Sequence, residues 1–456
     1  MSRILSNDSF AGTEALTGRL ASASTIADSA ASGNGARPAP SSSSFAFFWL
    51  ILFFLVYCAR PEDWIPGLAV IPLAKIAGVF CLLSFVATLG RARPKLPREM
   101  IYLILLVTQL WLTVPMSPVW RGGAFTITLD FSKVLLIMFV MTATVTTMRR
   151  LRQLIFVQTA CVAVVAAVTL IKGQLLLGRL TGAINGIYAN PNELALTLIF
   201  VLPLALAFLL RAKGILRKVI GTAAVLVLVY VTVLTGSRAG LIALIVSGGV
   251  CLWEFGVRGR RPGLVVVAGG LGLAMVVSAG STVTDRFKAM FSDEQPTNEA
   301  ERAAYGSAKQ RQDLFWKSLA VTAEHPLFGV GPGNFNSISG NWHDQHNSYT
   351  QMSSEGGVPA LALYLLILWR AFANLRQTRR SALPGSDEAL FAGALRGSLG
   401  GYVIGSFFAA VAYHFFPYFL VGYTSALAMI TTQDESVAEE EALGQENQHH
   451  VVSLAY

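Results

Sequence analysis

Charged side chains are scarce in this sequence. They make up 13% of its 456 residues, against about 25% in a typical soluble domain. Hydrophobic residues fill 54%, which excludes a water-soluble globule and implies a chain that threads a bilayer. Only four cysteines occur, Cys58, Cys81, Cys161 and Cys251. All lie in or beside apolar runs, so they read as small packing residues and no disulfide is expected. Acids are nearly missing from the apolar runs, which argues against a proton-coupled carrier. No Gly-x-Ser-x-Gly or Cys/His pair points to acyl transfer. No outward-facing Asp-x-Asp pair would hold a divalent cation. The Gly-rich stretch "HPLFGVGPGNF" (325–335) lacks a preceding strand and a Walker lysine, and reads as a turn. The net charge is +9, but it is spread over short loops without a nucleic-acid motif. We therefore expect it to orient the chain in a membrane, with no nucleic-acid partner.

Twelve apolar stretches are present, at roughly 44–59, 68–89, 100–116, 127–148, 153–171, 193–210, 218–235, 240–256, 264–281, 355–374, 389–412 and 417–432. Spanning the hydrocarbon core takes about 20 such residues. The expected fold is all-α: a polytopic membrane protein of about 12 transmembrane helices, with a helical segment outside the membrane between helices 9 and 10. Basic residues concentrate in alternate loops, at "RARPKLPR" (91–98), "RRLR" (149–152), "RAKGILRK" (211–218), "RGRR" (258–261) and "RQTRR" (376–380). Positive loops stay in the cytoplasm, so both termini are expected there. The organisation expected is a disordered cytoplasmic tail over 1–43, helices 1–9 over 44–281, an outer segment over 282–354, helices 10–12 over 355–432 and an acidic cytoplasmic tail over 433–456. The first 43 residues are rich in Ser, Ala and Gly and do not read as a cleaved signal peptide. Within the outer segment, Glu299–Glu324 reads as a helix with Leu314, Phe315 and Leu319 on one face.

Against this background a few polar residues stand out. "LVYVTVLTGSRAGLIALIVSGG" (228–249) holds a single charge, Arg238, in a turn between two apolar runs on the outer side. The bland reading is an arginine whose stem lies along lipid while its head reaches the headgroups. Arg311 lies on the apolar side of the outer helix, one turn before Phe315, where a solvated head is the competing reading. "WHDQHNSYTQMSSEGGVPALALYLL" (342–366) places His343 and His346 just ahead of the tenth run. A histidine there can take a proton near neutral pH, with Asn347 or Asp344 to orient it. The "GG" and Pro359 suit a tight start to the next helix. "HDQH" offers two imidazoles and a carboxylate, but no second ligand cluster or cysteine ligand accompanies it. No metal and no cofactor are therefore expected. "GRLTGAINGIYANPNELA" (178–195) joins Arg179 to a Pro-Asn helix start containing Asn192, with Glu193 in its first turn. Asp130 and Lys133 lie three apart and can pair on one helix face.

Two arginines and a histidine on one face form a chemical set. Arginine meets a diphosphate with a planar, permanently charged fork, and a histidine beside it can deprotonate an attacking hydroxyl. The chemistry implied is glycan transfer from a lipid diphosphate, with cations rather than a metal stabilising the leaving group.

The stretches "TGSRAG", "RQDLFWKSLAVTAEHPLFGVGPGNF" and "HNSYTQMSSEGGVPAL" resemble, in order and spacing, the domain shared by O-antigen ligases and O-antigen polymerases. "YANPNELA" resembles the Pro-Asn motif that precedes it, and "ARPEDWIPGL" resembles exosortase-associated O-glycosylation ligases. The ligase-domain and Pro-Asn resemblances span roughly 180–375, and "ARPEDWIPGL" lies near the first span. They imply a twelve-span bacterial inner-membrane glycosyltransferase with its active site on the periplasmic face. The implied donor is an undecaprenyl-diphosphate-linked glycan. The acceptor is lipid A core, protein or another glycan, and the reaction is metal-independent and inverting. Carried onto this sequence, the family's essential arginines match Arg238 and Arg311 and its catalytic histidine matches His346. His343, Asn347, Tyr349, Arg179 and Asn192 are candidates for orientation or donor binding. The family's Gly-x-x-Gly turn begins at Gly356, and Pro359 stands at its second glycine. Other readings are a polymerase of the same family, a transporter of a lipid-linked or anionic solute, and a non-catalytic scaffold.

Overall fold

A computed structural model describes residues 41–87, 96–176, 179–278, 299–340 and 345–454. His343 and Asp344 lie outside them, as does the expected tail up to residue 40 and the outer segment from 279 to 298. The described chain is helical apart from a two-residue hairpin, in which β1 (Leu175–Leu176) pairs antiparallel with β2 (Arg179–Leu180). The helices are α1 (Ser41–Ala59), the one-turn α2 (Pro61–Trp64), α3 (Leu73–Val86), α4 (Arg98–Met116), α5 (Arg121–Thr144) and α6 (Met148–Lys172). They continue as α7 (Pro191–Arg211), α8 (Ile215–Leu234), α9 (Arg238–Cys251, prolonged by a π-helical turn Leu252–Val257) and α10 (Gly263–Ser278). Then follow α11 (Glu299–Glu324), the short α12 (Phe335–Ser339), α13 (Ser348–Ser381), α14 (Asp387–Gly405) and α15 (Phe415–Leu454).

Each of the twelve apolar stretches overlaps a helix among the described residues. Among the described residues nine helices are long and apolar enough to cross a membrane, so the expected count of twelve is not reached by that measure. The other three stretches explain the difference. α3 has 14 residues, about 21 Å at 1.5 Å per residue, short of a ~30 Å hydrocarbon core. α10 has 16. α14 has 19 but begins Asp-Glu and carries Arg396 midway, which lowers its apolar content.

Polar caps set the helix starts. Thr147, Asn190, Ser237, Asn347 and Ser386 each accept a hydrogen bond from a backbone N–H in the first turn of α6, α7, α9, α13 and α14 respectively. Pro191 follows Asn190 at the first helical position, where its missing N–H costs nothing. α7 and the membrane part of α15 are the central helices, 72% and 83% buried over their apolar windows, as expected of helices apolar on all sides. α14 packs against both α7 and α9, while α13 packs against α4, α11 and α15. All four cysteines are free and buried. Asp130 and Lys133 form the expected pair on α5.

Helix α11 occupies the span expected for it. Its buried face is Leu314, Ser318 and Val321, while Leu319 is 37% exposed, contrary to expectation. Leu314 and Val321 join Val330 and Phe335 in a small core separate from the main one. Residues 325–335 tie this unit to the bundle. The Val330 N–H donates to Ser354 O and the Gly331 N–H to Glu355 O, both at 2.9 Å. Asn334 Nδ2 donates to Ser117 Oγ at 2.9 Å and to Trp120 O at 3.0 Å. The turn's amides are thus used in holding the fold, which explains a Gly-rich stretch without a phosphate role.

α13 starts at Ser348, seven residues before the expected boundary at 355, and breaks at Gly357 (φ 81°, ψ 172°). A Cβ at Gly357 would overlap the Leu327 carbonyl. The break therefore needs glycine twice over, for its φ and for the close approach of the 325–335 turn. Pro359 stands just past it and starts the membrane half of the helix, in line with its expected role.

Contacts between helix ends define two distinct ends of the bundle. Asp387 of α14 pairs with Arg152 near the start of α6 and, at 2.6 Å, with Arg211 at the end of α7. Glu254 at the end of α9 pairs with Arg379 near the end of α13. Three of the loops rich in basic residues contribute to these pairs. At the other end the Ser348 N–H donates to Ser406 O at 2.8 Å, joining the start of α13 to the end of α14.

Candidate functional site

Arg238 is the first residue of α9, placed by the Ser237 cap and by Gly236, whose φ of 57° ends α8. This turn is fused to the start of α7 through one buried side chain. Asn192 Oδ1 accepts from Ser237 Oγ at 2.9 Å and from Arg179 Nη2 at 2.8 Å. Arg179 Nε donates to Thr235 O at 2.9 Å. Arg179 and Asn192 therefore clamp the turn that carries Arg238. Gly240, two residues on, lies so close to Ala195 of α7 that a side chain there would collide with it.

Arg311 reaches the same region from α11. Burial, and then the positive charge of Arg238, lower its pKa below the usual guanidinium value. The two arginines thus lie within electrostatic reach of each other. Arg311 Nε is buried and makes no hydrogen bond among the described residues. Such an orphaned donor costs about 1–3 kcal/mol, which an anion arriving from outside would offset.

His346 and Asn347 line the same cleft as Arg311. The cleft holds about 430 Å³. Its polar side is formed by Arg311, Gln312, Gln345, His346 and Asn347, and its apolar side by Ile242, Phe315, Ile404, Phe407 and Phe408. His346 is half-buried, and its backbone lies in the left-handed region at φ 54°. That conformation is uncommon for a residue other than glycine and costs on the order of 1–3 kcal/mol. Both neighbours are fixed. Gln345 donates to Ser354 Oγ at 3.2 Å and Glu355 Oε1 at 3.1 Å. Asn347 Oδ1 accepts from the Tyr349 and Thr350 N–H groups. The backbone thereby presents the imidazole to the cleft at a fixed point.

The sequence-derived candidates fall into three groups. Arg311, His346 and Asn347 share the cleft, and Arg238 lies within reach of its charge. Asn347 also caps α13, so its Oδ1 is committed to the backbone. Arg179 and Asn192 support the Arg238 turn. Tyr349 is anchored, donating to Val403 O at 2.7 Å and packing on Phe407. His343 lies outside the described residues.

Sequence reasoning missed Gln345, Gln312, Phe407 and Phe408. Gln345 stands beside His346 in a stretch already singled out, and its polarity next to an apolar run was the available signal. The two phenylalanines follow α14, some sixty residues from His346, and nothing local marks them. Glu355 was missed as well. It is only 2% exposed, and the hydrogen bond from Gln345 explains how a carboxylate is held there. A second concavity of about 490 Å³ lies on another face of α11, beside Lys309, Asp313 and Lys317. It includes neither histidine nor either arginine.

Residues 222–365 match the family model of the O-antigen ligases. The match contains Arg238, Arg311, His346, Asn347 and Tyr349, and excludes Arg179 and Asn192. No curated protein matches the chain. The match covers less than a third of the chain.

Proposed function

We propose that this chain, carrying an O-antigen ligase domain in a multi-pass inner-membrane protein, transfers a glycan from an undecaprenyl-diphosphate-linked donor to an acceptor hydroxyl. The observation that carries the reading is the shared cleft. A histidine on a strained backbone faces a buried arginine with an unpartnered N–H, a second arginine is near enough to repel it, and one wall is apolar.

In this mechanism Arg238 and Arg311 bind the donor diphosphate, whose charge replaces their mutual repulsion with attraction. The apolar wall at Ile404, Phe407 and Phe408 accommodates the first isoprene units, which are costly to expose to water. His346 takes the proton from the acceptor hydroxyl as its oxygen attacks the anomeric carbon. The bond from that carbon to the diphosphate oxygen breaks and undecaprenyl diphosphate leaves with the electron pair. The two guanidinium groups stabilise the charge that develops on it. Attack opposite the leaving group inverts the anomeric configuration. No metal or cofactor takes part.

Sidedness follows from the charge distribution. In this reading the end opposite the cleft faces the cytoplasm and the cleft faces the periplasm, which the basic residues at that end support.

The test is His346→Ala, purified and supplied with lipid-linked donor and defined acceptors. The variant should insert and melt like the parent protein but form no new glycosidic bond. Full transfer by the variant removes the base. Mass spectrometry of the parent's products also separates the related activities. Glycan on lipid A core or protein marks a ligase, and a doubled lipid-linked repeat marks a polymerase. Donor that moves between leaflets with no new bond marks a transporter.

A further inference from the structure

At the basic end of the bundle, Glu254 sits 2% exposed in the π-helical turn that closes α9. Three arginines from three elements converge on it. Arg396 of α14 pairs at 2.7 Å, Arg258 lies at 3.7 Å, and Arg379 of α13 contacts the other carboxylate oxygen. A fourth, Arg376, lies within electrostatic reach of Arg396, as does Arg258. One carboxylate is therefore shared by three guanidinium groups, with a fourth beside them. Two further carboxylates toward this end are already held, Asp387 by Arg152 and Arg211 and the buried Glu99 by Asn374 and Arg370.

The cluster lies at the end of α9 away from Arg238 and against the middle of α14. Arg396 is nine residues inside α14, and Glu254 is sixteen residues, about 24 Å of helix, from Arg238. Trp253 and Val257, which flank Glu254 in sequence, are each 56% exposed. This is the pattern of an interfacial tryptophan facing lipid. An excess of positive charge between helices favours a counter-anion, and basic pockets between helices on the cytoplasmic side suit phosphate headgroups.

We infer that Arg258, Arg379 and Arg396 around Glu254, with Arg376 beside Arg396, form a binding site for a phosphate-bearing anion at the end of the bundle opposite the cleft. The ligand class is a phosphomonoester or phosphodiester, supplied by an anionic phospholipid headgroup or by free phosphate. Glu254 holds the arginine forks in register, and the anion neutralises the remaining charge and ties α9, α13 and α14 together.

The experiment uses the full chain in detergent, with native mass spectrometry and thermal unfolding read in parallel. Its probes are phosphatidylglycerol, phosphatidylcholine and inorganic phosphate. The parent protein should bind phosphatidylglycerol at least tenfold more tightly than phosphatidylcholine and melt at a higher temperature with it. Arg258→Gln with Arg376→Gln leaves the closest Glu254 pairs intact, and should weaken phosphatidylglycerol binding about fivefold per arginine removed. Arg217→Gln with Lys218→Gln removes the same charge from the start of α8 and should leave binding unchanged. A phosphate-induced stabilisation that phosphatidylglycerol does not increase identifies a soluble anion as the source, and the reverse identifies the headgroup. The inference falls if phosphatidylglycerol and phosphatidylcholine bind alike and phosphate has no effect, or if both double variants lose binding equally. Glycan transfer is assayed separately, so neither result bears on the proposed activity.

Discussion

Arg311→Met separates a binding role for this arginine from a structural one. In the folded protein the guanidinium is largely buried, faces the charge of Arg238 and leaves Nε without a partner. Methionine is of similar length and fills the same space without charge or donor. Removing the orphaned donor relieves a desolvation cost of about 1–3 kcal/mol, and the repulsion from Arg238 disappears with it. The variant should therefore be as stable as the parent or more so, with an equal or higher melting temperature in detergent. Transfer should move the other way. Loss of a desolvated, charge-assisted contact to a diphosphate costs about 2–5 kcal/mol, which is roughly 30-fold to several-thousand-fold in kcat/KM. Arg311→Lys keeps the charge but loses the fork and should fall between the two. Both quantities are measurable on one preparation, by intrinsic tryptophan fluorescence on heating and by transfer from purified donor. A variant that loses stability and activity in proportion would refute the reasoning, because Arg311 would then be holding the fold together. Unchanged transfer would refute it from the other side.

Asn192→Ala removes the acceptor shared by Ser237 and Arg179. It should destabilise the protein by about 1–3 kcal/mol and raise KM for the donor more than it lowers kcat, since the Arg238 turn is loosened and not lost. Steady-state kinetics at varied donor concentration checks this. Gly357→Ala places a side chain at φ 81° against the Leu327 carbonyl. The expected loss is about 2 kcal/mol or more, read as a lower melting temperature, with proteolysis increased around 325–335. Asn334→Ala removes hydrogen bonds to Ser117 and Trp120. It should loosen α11 from the bundle and cut transfer while leaving the main core intact, a pattern that hydrogen exchange resolves by region.

Much of the fold was legible because its causes are local. An apolar stretch of about 20 residues must form a helix in lipid, where every backbone group has to be satisfied within the segment. Ser, Thr and Asn caps mark where such helices begin, as Asn190 and Ser237 do here. The helix over Glu299–Glu324 and the pairing of Asp130 with Lys133 were local in the same sense. Lengths were less legible. α3 stops at Val86 and α13 reaches back to Ser348, because helix ends answer to neighbours as well as to hydrophobicity. The buried face of α11 was half right for the same reason: Leu314 is buried as expected, while Leu319 gives way to Ser318 and Val321.

The candidate site divides along the same line. By itself the sequence determined which residues are chemically unusual: Arg238, Arg311 and His346 are polar where their surroundings are apolar, and that contrast needs no coordinates. Only the tertiary structure decided that Arg311, His346 and Asn347 line one cleft, that Arg179 and Asn192 serve the Arg238 turn, and that Phe407 and Phe408 close the apolar side. It also decided that Arg258, Arg379 and Arg396 meet at Glu254. The physical reason is that helix formation in a membrane depends on each segment's own backbone and side chains. Cavities, charge clusters and shared hydrogen-bond acceptors depend on how distant segments pack, and no local pattern encodes that.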